Sequence, residues 1–223
     1  MDDWRILLYP LGFIPSLAFG LRFLLQWIQS ERKGESIVSP LFWYLSIVGN
    51  VLFMIHAFIQ VQYPICLIQG CNAVLSWRNL NLFHGGAEKT SQNSIIAILL
   101  SLCGLITVAF MFQGHEHWMR IPTAPWENIT KVRVSLFWHI LGSVGFFLFA
   151  SRFWLQWWMA EKAKKSYLPE AFWWVSVFGA LIIITYSIKI SDSVNLIAPA
   201  IGLIPYLRNL MLIQKKRSSR VST

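Results

Sequence analysis

The sequence predicts an all-α integral membrane protein. Seven transmembrane helices are expected, arranged as two parallel three-helix repeats joined by a linker helix. Three observations lead there. The chain is 56% hydrophobic and only 13% charged over 223 residues, against roughly a quarter charged in an average soluble domain. Apolar stretches long enough for a bilayer core recur along it. The sequence also matches itself without a gap at an offset of 130 residues.

The apolar stretches lie near residues 11–28, 41–61, 65–82, 94–112, 135–158, 172–190 and 194–213. Pro64 and Asn72 interrupt the third, and Pro199 and Pro205 the seventh. Such breaks are tolerated where neighbouring helices satisfy the freed backbone groups. The opening MDDWR is not a basic n-region and no small-residue cleavage site follows, so the first helix is expected to stay. These spans give a first repeat at 9–82, a linker helix and outer loop at 83–134, a second repeat at 135–213 and a basic tail at 214–223.

Lys and Arg set the orientation. One side of the seven-helix plan collects Arg32, Lys33, Lys89, Lys162, Lys164, Lys165, Lys215, Lys216, Arg217 and Arg220. The other holds Arg5, Arg120, Lys131 and Arg133. The positive-inside rule then puts the N-terminus outside and the C-terminus in the cytoplasm. The net charge of +9 suits anionic lipid headgroups. The basic residues are scattered over short loops, so no nucleic-acid partner is expected. Cys66, Cys71 and Cys103 fall within spans and read as packing residues.

The offset of 130 pairs Arg22-Phe23 with Arg152-Phe153 and Leu25-Gln26-Trp27 with Leu155-Gln156-Trp157. It pairs Glu31 with Glu161, Ser36 with Ser166, Phe42-Trp43 with Phe172-Trp173, and Ser46 and Gly49 with Ser176 and Gly179. At the far end Arg78-Asn79-Leu80 meets Arg208-Asn209-Leu210. Roughly a quarter of the aligned positions are identical. Pro40 and Pro169 fall one position out of register. A three-helix unit ends on the side opposite its start, and one linker helix restores the starting side. The repeats are therefore expected to run parallel, about an axis along the membrane normal, as in the transporters that include SWEETs.

What the repeat keeps is polar. Arg22 and Gln26 share a helix face, as do Arg152 and Gln156, because a helix turns about 100° per residue. Glu31 lies about half a turn round from Arg22 on the same reckoning. It is expected at the loop entrance with Ser36, as are Glu161 and Ser166 in the second repeat. An arginine offers a planar fork for phosphate or carboxylate. Gln and Asn add neutral donors, and Trp27 and Trp157 add flat faces for a sugar or headgroup. The expected ligand set is Arg22, Gln26, Trp27, Arg78 and Asn79 with Arg152, Gln156, Trp157, Arg208 and Asn209. In this reading Arg22 and Arg152 face one another across a pseudo-twofold axis, near the cytoplasmic leaflet, and hold an anionic glycolipid headgroup.

A blander reading stands beside it. Arginines near helix ends snorkel to the interface, and tryptophans there form an aromatic belt. Arg22 and Arg152 lie one to two turns inside their spans, which favours function for these two. Ser46, Gly49, Ser176 and Gly179 read as close helix packing. His115-Glu116-His117 lacks an evident third ligand, so no metal is expected. Asn128-Ile129-Thr130 matches a glycosylation acceptor, a triplet frequent by chance. Lys189 and Asp192 flank a tight turn and are expected to pair with each other or with water. No nucleophile motif or phosphate loop is visible, so neither catalytic residues nor a cofactor are expected.

The motif RFLLQW, Glu31, Ser36, Phe42-Trp43, Ser46, Gly49 and the later Arg78-Asn79-Leu80, kept twice, resembles the lipid A biosynthesis N-terminal domain family. That family is similar in fold to SWEET and PQ-loop proteins. Leu25 and Leu155 stand where a PQ-loop proline is expected, so a SWEET-type hinge is not implied. The family is found fused ahead of lipid-A-disaccharide synthase in chlamydia-like bacteria. That synthase is a cytoplasmic glycosyltransferase that joins two acylated glucosamines and releases UDP. The resemblance implies the inner membrane of a Gram-negative bacterium, a periplasmic N-terminus and a synthase partner, fused or separate. With the duplicated Arg/Gln/Trp set, the expected function is a non-catalytic module that binds or presents a phosphorylated glycolipid. The alternatives are a SWEET-like sugar or glycolipid transporter or flippase, and the synthase activity itself.

Overall fold

The structure is a computed structural model, and it describes residues 3–85, 90–113, 118, 135–190 and 193–221. Among these residues the chain is helical. A short helix α1 (Asp3–Leu7) and a 3-10 turn (Tyr9–Gly12) lead into α2 (Phe13–Lys33). Six long helices follow: α3 (Pro40–Ile59), α4 (Tyr63–Phe83), α5 (Gln92–Met111), α6 (Leu136–Ala163), α7 (Glu170–Ile190) and α8 (Ser193–Val221).

Among the described residues, five segments are long and apolar enough to cross a membrane: Trp4–Lys33, Pro40–Ile59, Gln92–Met111, Leu136–Ala163 and Glu170–Lys189. Their apolar side chains are largely exposed on the outside of the protein. On α5 these include Leu100, Leu105 and Met111, and on α6 Phe137, Ile140 and Phe147. Such surface is stable only against lipid or another apolar partner. The helices α4 and α8 are long but more polar, and they coincide with the third and seventh stretches of the sequence. Pro64 causes no break in α4. It sits in the first turn, where an N–H has no intrahelical acceptor. Pro199 and Pro205 do lie inside α8.

The chain forms two compact units. Unit 1 comprises Met1–Arg22 and Pro40–Ile129, and unit 2 comprises Phe23–Ser39 and Thr130–Thr223. The continuous helix α2 thus gives its first half to unit 1 and its second half to unit 2.

In unit 1, α3 and α4 pack along one another and α5 packs on α4. Ala57, Val61, Cys66, Ile106 and Phe110 form a buried cluster, edged by Phe58, Tyr63 and Trp118. The α3–α4 turn is closed by Val61 in the left-handed region, at φ 58°. Its amide donates to Phe58 O at 3.2 Å, and that of Gln62 to Ala57 O at 2.8 Å. This is a Schellman stop, built on a β-branched residue that pays a steric cost there. Arg5 Nη1 donates to Ile59 O at 2.6 Å, and Gln60 Nε2 donates to Arg5 O at 2.7 Å. Arg5 therefore satisfies a carbonyl that the end of α3 leaves over.

In unit 2, α7 packs between α6 and α8. Gly179 lets α7 approach α6 so closely that an added Cβ would lie 3.1 Å from the backbone nitrogen of Phe149.

Both 34–39 and 164–169 are entered by the same stop. Gly34 (φ 65°) donates to Glu31 O and Glu35 to Ser30 O, each at 3.2 Å. Lys164 (φ 51°) donates to Glu161 O at 3.3 Å and Lys165 to Ala160 O at 3.2 Å. The stop therefore comes after the two glutamates. Glu31 and Glu161 are helical residues of α2 and α6, and their expected place in the loops is corrected. An apolar span ends where polarity begins, but a helix ends where its backbone turns left-handed.

Candidate functional site

In unit 1, Arg22 is 4% exposed. Its Nη1 donates to Ser46 Oγ at 2.8 Å, and Ser46 Oγ donates in turn to Phe42 O at 2.6 Å. The guanidinium lies over the rings of Phe19, at 4.6 Å, and Phe42, at 5.4 Å. Gly49 leaves room for the Phe19 ring, since a Cβ there would come within 2.6 Å of it. Arg78 and Asn79 are fully buried on α4, and Asn79 Nδ2 donates to Leu75 O at 2.9 Å.

In unit 2, Arg152 is equally buried. The 130-residue equivalents of Phe19 and Phe42 flank it again, Phe149 at 3.6 Å and Phe172 at 5.7 Å. Phe23, Phe153 and Tyr206 complete a cage at 5.3, 5.1 and 5.6 Å. Ser176 repeats the back-bond of Ser46, donating to Phe172 O at 2.7 Å. Arg152 Nη1 instead donates to Tyr206 Oη at 3.0 Å. Arg152 forms no ion pair with any described residue. A guanidinium held by rings and one hydroxyl keeps its charge uncompensated.

The amides serve the protein. Gln26 Nε2 donates to Asn209 Oδ1 at 2.8 Å, and Asn209 Nδ2 returns a bond to Gln26 Oε1 at 3.1 Å. Gln26 Nε2 also reaches Ser30 Oγ at 2.8 Å and Ile37 O at 2.9 Å. Ser36 Oγ donates to Asn209 Oδ1 at 2.6 Å, and Asn209 Nδ2 to Pro205 O at 2.8 Å. The loop after α2 is therefore tied both to α2 and to α8. Gln156 Nε2 repeats the tie on the other loop, donating to Tyr167 O at 2.9 Å. Ser166 is buried there.

Trp27 Nε1 donates to Glu31 Oε1 at 3.0 Å and Trp157 Nε1 to Glu161 Oε1 at 3.1 Å. Glu31 pairs with Arg208 at the surface, through both carboxylate oxygens. Arg208 belongs to α8. Glu35 pairs with Lys216 on the same helix. Glu161 is buried where Glu31 is not.

Unit 2 thus brings Gln26, Ser36 and Asn209 together, and Glu31, Trp27 and Arg208 together, with Arg152 in its own cage. Unit 1 holds Arg22, Arg78 and Asn79. Sequence reasoning missed Tyr206 as the partner of Arg152. Its repeat equivalent is Ser76, so the offset gave no signal for it. His115-Glu116-His117, Asn128-Ile129-Thr130 and Asp192 lie outside the described residues.

Residues 11–81 and 141–211 each match the family described as "Lipid A Biosynthesis N-terminal domain". The chain is similar to the lipid-A-disaccharide synthase of Chlamydia felis (strain Fe/C-56), 38% identical over 213 residues, covering 94% of this chain and 33% of the relative. Against that of Chlamydia abortus (strain DSM 27085 / S26/3) identity is 37% over 220 residues, covering 97% and 34%. Against that of Chlamydia pneumoniae it is 32% over 213 residues, covering 96% and 34%. The chain therefore spans about a third of the length of these relatives. No solved structure matches it.

Proposed function

This chain belongs to the lipid A biosynthesis N-terminal domain family, and from that premise we propose that it binds a phosphorylated glycolipid of lipid A biosynthesis and presents it to lipid-A-disaccharide synthase. The module itself performs no group transfer. It lies in the inner membrane with seven spans in the three-plus-one-plus-three plan. Its N-terminus is periplasmic and its C-terminus cytoplasmic, the side on which a soluble glycosyltransferase works.

The observation that carries this reading is Arg152. A buried guanidinium inside an apolar helix is expensive, and here it lies in an aromatic cage without an ion pair to any described residue. A phosphate supplies the missing counter-charge. Arg22 is a second buried arginine, in unit 1, held by Ser46 and the equivalent rings. Gln26 and Asn209 keep the loop and helix end in place rather than meeting the ligand directly.

The test is binding of a diacylglucosamine 1-phosphate to the purified chain in nanodiscs. Arg152→Leu and Arg22→Leu should abolish it while the far-ultraviolet helix signal stays. Undiminished binding by both variants sinks the reading.

A further inference from the structure

Trp43 and Trp173 are repeat equivalents, and both are fully buried. Each ring packs edge-on against its preceding phenylalanine, at 4.9 Å and 88° for Trp43 and 5.0 Å and 87° for Trp173. The indole N–H of each meets no acceptor among the described residues. Buried donors are nearly always satisfied, so one that is not requires an explanation.

In unit 2 the donor has company. Arg152 Nε is also buried and also meets no acceptor among the described residues. Both residues border the same phenol. The Trp173 ring lies 6.0 Å from that of Tyr206, and Arg152 Nη1 donates to the Tyr206 hydroxyl. The three groups come from α6, α7 and α8, one from each. They bring N–H and O–H donors and one positive charge, with no carboxylate. With Nη1 spent on Tyr206, the Nε edge of the guanidinium is left. Donors arriving from three helices suit a tetrahedral group better than a planar carboxylate.

Resting on the glycolipid reading above, we infer that Trp173, Arg152 and Tyr206 form an oxyanion subsite of unit 2 that takes a phosphate or phosphate-ester group. The indole N–H holds one oxygen and the Nε edge of Arg152 another. Trp173 is then a specificity residue: it rewards an oxygen acceptor and gives nothing to an unphosphorylated headgroup.

The experiment uses the full chain in nanodiscs and three probes: inorganic phosphate, a diacylglucosamine 1-phosphate and its dephosphorylated form. Trp173→Phe keeps an aromatic, though smaller, ring and removes the donor. It should weaken binding of the phosphorylated probe about tenfold, as expected for loss of one hydrogen bond to a charged group. It should leave the dephosphorylated probe unaffected. Arg152→Lys keeps the charge, loses the planar fork and should weaken binding further. Phosphate alone competing with the glycolipid supports the subsite and assigns it to the phosphate group. Wild-type affinity in both variants overturns this inference and leaves the proposed function standing. A wild-type chain that binds neither phosphorylated probe overturns both.

Discussion

Gln26 and Asn209 hold one another by two reciprocal amide hydrogen bonds, 2.8 and 3.1 Å long, though they stand 183 positions apart in the chain. Both are fully buried. Removing Gln26 takes two hydrogen bonds from Asn209, which keeps those with Ser36 Oγ and Pro205 O, and each buried bond lost costs about 0.5–1.5 kcal/mol. Gln26→Ala should therefore lower the unfolding free energy by about 2–3 kcal/mol, since Ile37 O also loses its closer donor and keeps only Ser30 Oγ at 3.4 Å. Gln26→Ala with Asn209→Ala should cost less than the sum of the two single changes. Thermal denaturation of the four proteins in one detergent measures the coupling. Strict additivity would contradict the pairing.

The two left-handed helix stops predict an asymmetry between the repeats. Gly34 occupies its position without strain, whereas Lys164 brings a Cβ into the same backbone region. Lys164→Gly should stabilise the protein by about 1 kcal/mol, and Gly34→Ala should destabilise it by a similar amount. Nothing lies within 4 Å of a Cβ at Gly34, so crowding does not confuse that result. Melting temperatures moving in the same direction for both substitutions would refute it.

These two examples show what the sequence carries and what it does not. The 130-residue offset made Arg22, Gln26, Trp27 and their equivalents visible, because a duplicated polar residue in an apolar stretch stands out. It also contained the stop at Lys164, through its alignment with Gly34, but a lysine does not announce a left-handed turn. The bond between Gln26 and Asn209 was not legible. Helical phase says which face a residue takes, whereas a partner from another helix is fixed only by packing. Glu31 was misplaced for a related reason: hydropathy marks the end of a span and not the end of a helix. Trp43 and Trp173 were quoted as repeated aromatics, yet nothing in the pattern shows that their N–H groups are unsatisfied.

The duplicated glutamates should differ in worth. Glu31 and its partner Arg208 are both partly exposed, with side chains 32% and 46% accessible. Solvent and salt screen such a pair. Glu31→Gln should change the melting temperature little, and less still at high ionic strength. Glu161 is 2% exposed and accepts the Trp157 indole N–H. Glu161→Gln should be the more destabilising of the two, with an effect that salt does not erase. Melting curves at low and high salt decide; equal, salt-sensitive losses would go against the structure.

Gly49 and Gly179 provide the last contrast, because the same substitution meets different obstacles. At Gly179 an added Cβ lies 3.1 Å from Phe149 N and 3.4 Å from its Cα, both parts of the α6 backbone. Backbone in a packed helix yields only if α6 and α7 move apart, so Gly179→Ala should cost about 1–3 kcal/mol. At Gly49 the Cβ meets the Phe19 ring at 2.6 Å, a closer approach to a softer obstacle. That ring turns aside at smaller cost, but it is also one face of the Arg22 site, 4.6 Å from the guanidinium. Gly49→Ala should therefore lose less stability than Gly179→Ala and more ligand affinity through Arg22. Parallel melting and glycolipid-phosphate titration of the two variants separate these effects. If Gly49→Ala proved the less stable protein with full affinity, Phe19 would have no part in holding Arg22.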